Sequence, residues 1–206
     1  NINMIKITFP DASLKEFKKG ITPSEVASSI SSSLVKKCVV AKYSGELVDM
    51  NAPLESDGEI ELLTASTEGL EPLLNHSCAH LLAQAIKELY PNAMFGVGPA
   101  IEEGFYYDMD LGEVKLTEED LPKIEKKMQA LVASGEQIKR VVVSKKEALE
   151  LFKDDVYKTE LITEMEDDVT ITVYEQGNFR DLCRGPHVSS TKWLKNFKLL
   201  SVSGAY

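Results

Sequence analysis

Two short segments contain all three histidines of the chain. His76 and His80 are four residues apart, and His187 follows Cys183 at the same interval. Residues four apart on a helix point in the same direction, so His76 and His80 can face one ion or one water molecule. If the two segments meet in the fold, three imidazoles and a thiol converge on one site.

Two kinds of chemistry fit these four side chains. The four could form a His3Cys zinc site, because zinc prefers nitrogen and sulfur ligands in a tetrahedron. Alternatively the site could hydrolyse a substrate without metal, since an imidazole with a pKa near neutrality accepts a proton from water. Cys183 could then be a nucleophile, a pocket wall or a weak donor. The residue types alone leave these alternatives open.

Asp181, Arg184 and the tyrosine pair at 106 and 107 add polar groups. Asp181 could hold a substrate ammonium and Arg184 a carboxylate-like or phosphate oxygen, or the two could form a surface ion pair. Tyr106 and Tyr107 face opposite sides if they lie in a strand, so one of them could line a pocket.

A long helix must position the histidine pair. Residues 70–90 repeat apolar side chains with helical spacing, and Pro91 ends the pattern. On a helical wheel His76 and His80 lie roughly opposite the leucine-rich stripe, beside Ala79 and Ala83. We expect these small neighbours to leave room for a ligand or for a second layer of protein.

The remaining patterns predict an α+β protein. The first 65 residues predict a small sheet with one covering helix, which Thr22 and Glu25 begin as a capping box. They carry no residue to which a chemical role can be given. Beyond the long helix, the sequence predicts further helices from Thr117 and Ser144, and strands at 137–143, 169–174, 179–182 and 197–202.

Composition limits the class of protein. The net charge of −10 argues against a general nucleic-acid binder, although lysine clusters could still bind phosphates locally. No apolar run approaches the roughly 20 residues of a membrane helix, and no signal peptide precedes the first strand pattern. Three scattered cysteines favour a reducing cytoplasm. The end at Tyr206 without a closing element suggests a fragment. The lysine clusters are Lys36–Lys37, Lys139–Arg140 and Lys192–Lys198.

Four motifs in this order resemble the amino-terminal half of bacterial threonyl-tRNA synthetases. They are His-Ser-Cys-Ala-His at 76–80, Gly-Pro-Ala-Ile-Glu-Glu-Gly-Phe-Tyr-Tyr-Asp at 98–108, Asp-Leu-Cys-Arg-Gly-Pro-His at 181–187 and Ser-Gly-Ala-Tyr at 203–206. The resemblance covers essentially the whole chain. It implies a ubiquitin-like β-grasp (TGS) domain over residues 1–65. Residues 66–206 would form a larger α+β editing domain, with the histidine-bearing helix against a mostly antiparallel sheet.

The resemblance also implies an activity, the hydrolysis of seryl-tRNA(Thr) that the synthetase has mischarged. Its catalytic residues would be His76, His80, Lys158, Cys183 and His187. Its substrate-binding residues would be Tyr107, Asp181 and Arg184, with Asp181 on the α-ammonium. The partner would be the acceptor end of tRNA(Thr) carrying serine, with no membrane involved.

Metal use separates the related families. The alanyl-type editing proteins that the chain also resembles use this ligand set for zinc, whereas the threonyl type works without it, so we expect no metal here. ATP, magnesium and one zinc ion are expected only in an aminoacylation domain that this chain lacks. The longer enzyme is expected to be a homodimer through its other domains, and this chain a cytoplasmic monomer. The alternatives are an alanyl-type zinc-dependent editing factor and a non-catalytic zinc-binding interaction module.

Overall fold

The computed structural model describes residues 3–96, 100–101 and 104–203. It has the predicted α+β class, with helices packed on mixed and antiparallel sheets. Parts of the motifs at 98–108 and 203–206 lie outside the described residues. Among the helices described, none is long and apolar enough to cross a bilayer.

The first 64 residues form a five-stranded sheet in the order β2-β1-β5-β3-β4. β1 pairs with β2 antiparallel and with β5 parallel, and β3 lies antiparallel between β5 and β4. The predicted capping box begins α1, where the Thr22 hydroxyl accepts from the Glu25 amide. The elements are β1 (Met4–Thr8), β2 (Leu14–Lys18), α1 (Pro23–Ile30), α2 (Ser32–Lys37), β3 (Cys38–Tyr43), β4 (Glu46–Val48) and β5 (Gly58–Thr64).

The second part of the chain is built around α3 (Glu71–Leu89), the predicted histidine helix. It packs against α4 and against the antiparallel sheet β10-β11-β12. Two short hairpins, β6 with β9 and β7 with β8, connect α3 to α4. The elements are β6 (Met94–Phe95), β7 (Ala100–Ile101), β8 (Gly104–Phe105), β9 (Met109–Asp110), α4 (Leu121–Ser134), β10 (Ile138–Val143), α5 (Lys145–Leu151), α6 (Val156–Thr163), β11 (Ile171–Gln176) and β12 (Phe179–Leu182).

The two faces of the β10-β11-β12 sheet cover different cores. Ile171 and Val173 pack under α5 and α6, whereas Tyr174, one position further along the same strand, joins the core around α3. This alternation is what a strand covered on both faces requires. The sheet therefore presents one face to α3 and the other to the helix that carries Lys158.

The core around α3 also includes side chains from the first sheet. Val39, Val40 and Leu63 belong to the same buried cluster as Leu73 and Leu81 of α3. Strand β3 is consequently buried from Cys38 through Ala41. One side packs against α1 and α2, and the other packs against the part of the chain built around α3. The two sequence segments share one hydrophobic core.

Ala79, Ala83 and Ser77 are fully buried, so a second layer of protein covers the histidine side of α3, which is one of the two expected alternatives. Two other points differ from the sequence predictions. Residues 197–202 are not a strand: the Leu199 amide donates to the Glu125 carboxylate of α4 instead of to a neighbouring strand. The sequence reading also missed α6, which the Asp155 side chain caps.

Candidate functional site

The structure brings the two histidine-bearing segments into contact. His76 Nε2 lies 3.1 Å from Cys183 Sγ, and His187 Nε2 lies 3.3 Å from the same sulfur. The ring of His187 stacks on that of His76, with centroids 4.4 Å apart, and lies 4.2 Å from that of His80. The predicted constellation of three imidazoles and one thiol is therefore a single cluster.

Local structure explains why Cys183 and His187 point at α3. Cys183 follows directly after β12, and the chain then turns at Gly185, whose φ of 72° lies in the left-handed region. A side chain at Gly185 would collide with the Tyr174 hydroxyl, 1.7 Å from where its Cβ would stand. Only glycine lets the loop pass this closely over Tyr174 and return His187 to the helix.

A serine between the two histidines of α3 holds His187. Ser77 Oγ lies 3.0 Å from His187 Nδ1 and accepts a hydrogen bond from the Val188 amide at 3.2 Å. His187 is thus held at Nδ1 while Nε2 faces Cys183. The sequence reading did not single out Ser77, since its partners are more than a hundred residues away in the chain.

Beside the histidines, the buried carboxylate of Asp181 contacts several polar groups. Asp181 Oδ1 lies 3.0 Å from Lys158 Nζ and accepts from the Leu182 amide at 2.8 Å. Its Oδ2 accepts from the Tyr107 hydroxyl and lies 3.7 Å from His80 Nε2. Both Lys158 and Asp181 are buried, so this is an ion pair largely removed from water. Lys158 also reaches the Gly96 carbonyl at 3.4 Å.

Burial sets the protonation of the cluster. It lowers the pKa of His76, lowers that of His80 to about 4 and lowers that of His187 well below its usual range. The three imidazoles are consequently neutral at pH 7 and can accept protons or bind a metal. Burial raises the pKa of Cys183 to about 11, so without a metal ion Cys183 is a thiol. A neutral thiol is a poor nucleophile, which favours the pocket-wall role.

The donor set also suits a zinc ion. The four ligand atoms of His76, His80, Cys183 and His187 lie within 4.8 Å of one another. The two sulfur–nitrogen distances of 3.1 and 3.3 Å are close to the roughly 3.5 Å edge of a tetrahedral zinc site. Among the described residues, His80 Nδ1 is buried without a hydrogen-bond partner, and a metal ion or a substrate hydroxyl would satisfy it.

Arg184 is the one predicted site residue outside this network. It is exposed, and it forms no ion pair with any residue that the structure describes. The other seven predicted residues, namely Tyr107, Lys158, Asp181, Cys183 and the three histidines, lie in one connected set of contacts.

Comparison with known protein families supports the resemblance seen in the motifs. A model of the TGS domain matches residues 5–64. A model of the "Threonyl and Alanyl tRNA synthetase second additional domain" matches residues 171–205, which include Asp181, Cys183 and His187.

Full-length relatives extend the match to the remaining residues. The chain is 55% identical over 203 residues to the threonine–tRNA ligase of Acholeplasma laidlawii. This alignment covers 98% of the chain and 32% of that protein. The chain is homologous to part of the bacterial threonine–tRNA ligases. It is 54% identical over 202 residues to the Enterococcus faecalis enzyme and 52% identical over 205 residues to the Staphylococcus epidermidis enzyme. These alignments cover 98% and 100% of the chain, but 31% and 32% of those proteins. The chain therefore spans about a third of the length of these relatives.

Proposed function

We propose that this chain hydrolyses the ester of seryl-tRNA(Thr), as the editing part of a threonine–tRNA ligase. The observation that carries the proposal is the joining of seven predicted residues into one site, in a chain homologous to those ligases. In the reaction, water adds to the ester carbonyl and the ester C–O bond breaks. Serine and the terminal hydroxyl of the tRNA are released. The ATP-dependent ligation of threonine is part of the same proposal for the longer enzyme.

The ligase needs such a site for a physical reason. Serine differs from threonine by one missing methyl group, and a pocket sized for threonine discriminates against that loss by only about 1–3 kcal/mol. A second pocket that admits serine and collides with the methyl group of threonine adds the missing selectivity. Hydrolysis then removes the serine that the charging site has wrongly attached to the tRNA.

His76 is the best-placed proton acceptor. It is half-buried, whereas His80 and His187 are buried, so His76 is the imidazole that remains accessible from outside. Because its pKa is lowered, it is neutral at pH 7 and ready to accept a proton from an attacking water. Lys158 is the cation nearest to the cluster and could position the same water or stabilise the oxyanion that forms.

Asp181 is proposed to bind the α-ammonium of serine. Its Oδ1 is paired with Lys158 and accepts from the Leu182 amide, and its Oδ2 accepts from Tyr107. A substrate ammonium must therefore share an oxygen of Asp181 with one of these groups or displace it. Displacement of Lys158 would free its ammonium to act on the ester.

Cys183 and His187 are proposed to shape the pocket. Their contact at 3.3 Å, together with the stacking of His187 on His76, fixes a wall against which the serine side chain and the terminal adenosine would pack. His80 Nδ1 offers a buried partner for the serine hydroxyl. Arg184, exposed beside this wall, is proposed to meet a phosphate oxygen.

We propose that the site works without metal. Its four donors also fit zinc, and the matched family model covers alanyl-type domains, so a zinc-dependent editing site is the second candidate. A zinc ion held by three of these donors would keep a fourth position for an activated water, whereas one held by all four would be structural. Metal analysis of freshly purified protein decides between them: one zinc per chain, with hydrolysis lost on chelation, would replace the metal-free proposal.

The proposed partner is the acceptor end of tRNA(Thr), bound in the cytoplasm. Lysines that the sequence reading suggested as phosphate contacts are close together, since Lys192 Nζ donates to the Lys36 carbonyl at 3.0 Å. Lys192 also lies 4.6 Å from the centre of the Trp193 ring, which leaves a cation and an aromatic face together. The chain alone is proposed to be a monomer and the longer enzyme a homodimer.

Two single substitutions test the proposal. We expect His76→Ala and Lys158→Ala each to slow the hydrolysis of seryl-tRNA(Thr) by about 100-fold or more, the effect typical of losing an acid–base group. Glu88 is exposed on α3, the helix that carries His76. The control variant Glu88→Ala should hydrolyse the ester at the rate of the unsubstituted chain. Circular dichroism confirms that each variant is folded at the assay temperature. Unchanged rates in both site variants would refute the assignment.

A further inference from the structure

The first sheet reaches the candidate site through one carboxylate. Asp49 follows directly after β4 and is buried, 7% exposed. Its Oδ1 accepts a hydrogen bond from the backbone amide of His187 at 2.9 Å. Its Oδ2 accepts from the Tyr174 hydroxyl at 2.8 Å and lies 3.8 Å from Arg140 Nε. Asp49 belongs to the first part of the chain, where no site residue was predicted, yet it contacts both the His187 backbone and the Tyr174 side chain.

Both contacts bear on the orientation of His187. The Tyr174 and His187 rings pack edge to face, with centroids 4.4 Å apart and planes at 73°. Asp49 therefore holds His187 twice, once through its backbone and once through the aromatic ring against which it rests. On its other side, His187 contacts Ser77 and Cys183.

A small cavity also lies beside this anchor of His187. A polar cavity of about 30 Å³ lies between the two segments, lined by Asp49 and His187 together with Asn51 and Ser189. That volume is enough for a water molecule. Without the Asp49 carboxylate, the His187 backbone would lose its anchor beside this cavity.

We propose that Asp49 is a positioning residue, which aims His187 at Cys183 by fixing the His187 backbone and the Tyr174 ring. Its kinetic consequence rests on the proposed hydrolysis, but its structural consequence does not. On this proposal the first sheet contributes to the site. Residues 66–206 expressed without that sheet would therefore have a His187 side chain in a different orientation.

Imidazole NMR tests the positioning independently of any activity. The chain has only three histidines, so the nitrogen resonances of each can be assigned from single substitutions. We expect Asp49→Ala and Tyr174→Phe to shift the His187 resonances. The control Asp57→Ala removes a carboxylate from the same part of the chain, where Asp57 Oδ1 accepts from the exposed Lys6 amide, and should shift none.

Steady-state kinetics tests the consequence. Loss of a group that orients an active-site histidine typically costs about 10- to 100-fold in activity. We expect Asp49→Ala to lower kcat by that factor with KM unchanged, because Asp49 does not touch the substrate. In a His187→Ala background, Asp49→Ala should cause no further loss, since there is no imidazole left to position.

The outcomes separate the two proposals. Unshifted His187 resonances in both Asp49→Ala and Tyr174→Phe, or an Asp49→Ala loss that persists in His187→Ala, would overturn the positioning role. If the unsubstituted chain does not hydrolyse seryl-tRNA(Thr), the proposed function fails and the NMR result alone decides the role of Asp49. If Asp49→Ala does not fold, Tyr174→Phe removes one of the two contacts and gives the decision.

Discussion

Removing one partner of the buried Lys158–Asp181 pair should destabilise the fold strongly. The two side chains are 8% and 2% exposed, and their charges lie 3.0 Å apart. Lys158→Met keeps much of the apolar stem but leaves the Asp181 carboxylate buried without its cation. Breaking a buried pair in this way typically costs about 3–5 kcal/mol, because the remaining charge is desolvated and uncompensated.

The expected loss can be measured against a matched control. For a chain of this size, each kcal/mol lowers Tm by roughly 2–4 °C, so Lys158→Met should lower it by about 6–20 °C. Lys153 makes an ion pair of similar length with Glu150, but both side chains are mostly exposed, at 63% and 76%. Lys153→Met should therefore cost less than about 1 kcal/mol. Urea unfolding of both variants gives the two free energies.

A double substitution checks the physical reason for the loss. Lys158→Met with Asp181→Asn leaves no unpaired charge, and asparagine keeps an oxygen that can accept from the Leu182 amide. We expect the double variant to be roughly 1–3 kcal/mol more stable than the sum of the single losses predicts. The reasoning is refuted if Lys158→Met costs no more than Lys153→Met, or if the two site substitutions are simply additive.

Further predictions concern the Gly185 loop, the proposed base His76 and the cap of α1. Gly185→Ala should lower the free energy of unfolding by more than the roughly 1–2 kcal/mol expected of Gly20→Ala. Both glycines have positive φ, but only a side chain at Gly185 would collide with Tyr174. Chemical denaturation compares the two variants, and equal losses would contradict the close contact. Protonation of His76 removes the proposed base, and burial lowers the His76 pKa from its usual 6.5, so the midpoint of the decline in hydrolysis rate should lie below pH 6.5; a midpoint above pH 6.5 would exclude this assignment. Thr22→Ala should cost about 1 kcal/mol of unfolding free energy through loss of the α1 cap, and no change would show the capping box to be ineffective.

Local signals were sufficient for most elements of the fold. The predicted histidine helix is confirmed as Glu71–Leu89, and the predicted capping box of Thr22 and Glu25 is confirmed by reciprocal hydrogen bonds. These features depend on residues three or four apart, which the sequence displays directly. Helices also follow Thr117 and Ser144, as predicted.

Features that depend on distant residues were not predictable in the same way. Nothing near Asp49 in the sequence indicates that its partners are Tyr174 and His187, more than 120 residues away. Residues 197–202 were predicted as a strand, yet the Leu199 amide donates to the Glu125 carboxylate instead of to a neighbouring strand. The helical wheel of α3 left a ligand and a second layer of protein as alternatives, because a wheel shows composition and not what packs on the helix.

The site residues fall between these cases. Spacing alone suggested His76, His80, Cys183 and His187, and contact between the two segments was the condition for any shared chemistry. Lys158 was suggested only by the family resemblance, because its helix α6 was not recognised and a lysine after an aromatic residue is usually solvated. The roles of these residues stay predictions until hydrolysis is measured.

The most direct test of the account is the hydrolysis of seryl-tRNA(Thr) against threonyl-tRNA(Thr) by the 206-residue chain, with and without a chelator. A short acylated acceptor-stem RNA at high protein concentration replaces the tRNA if binding limits the rate. The account predicts rapid loss of serine, slow loss of threonine and no effect of the chelator. Equal rates for both esters, or no hydrolysis of either substrate even with the short RNA, would contradict it.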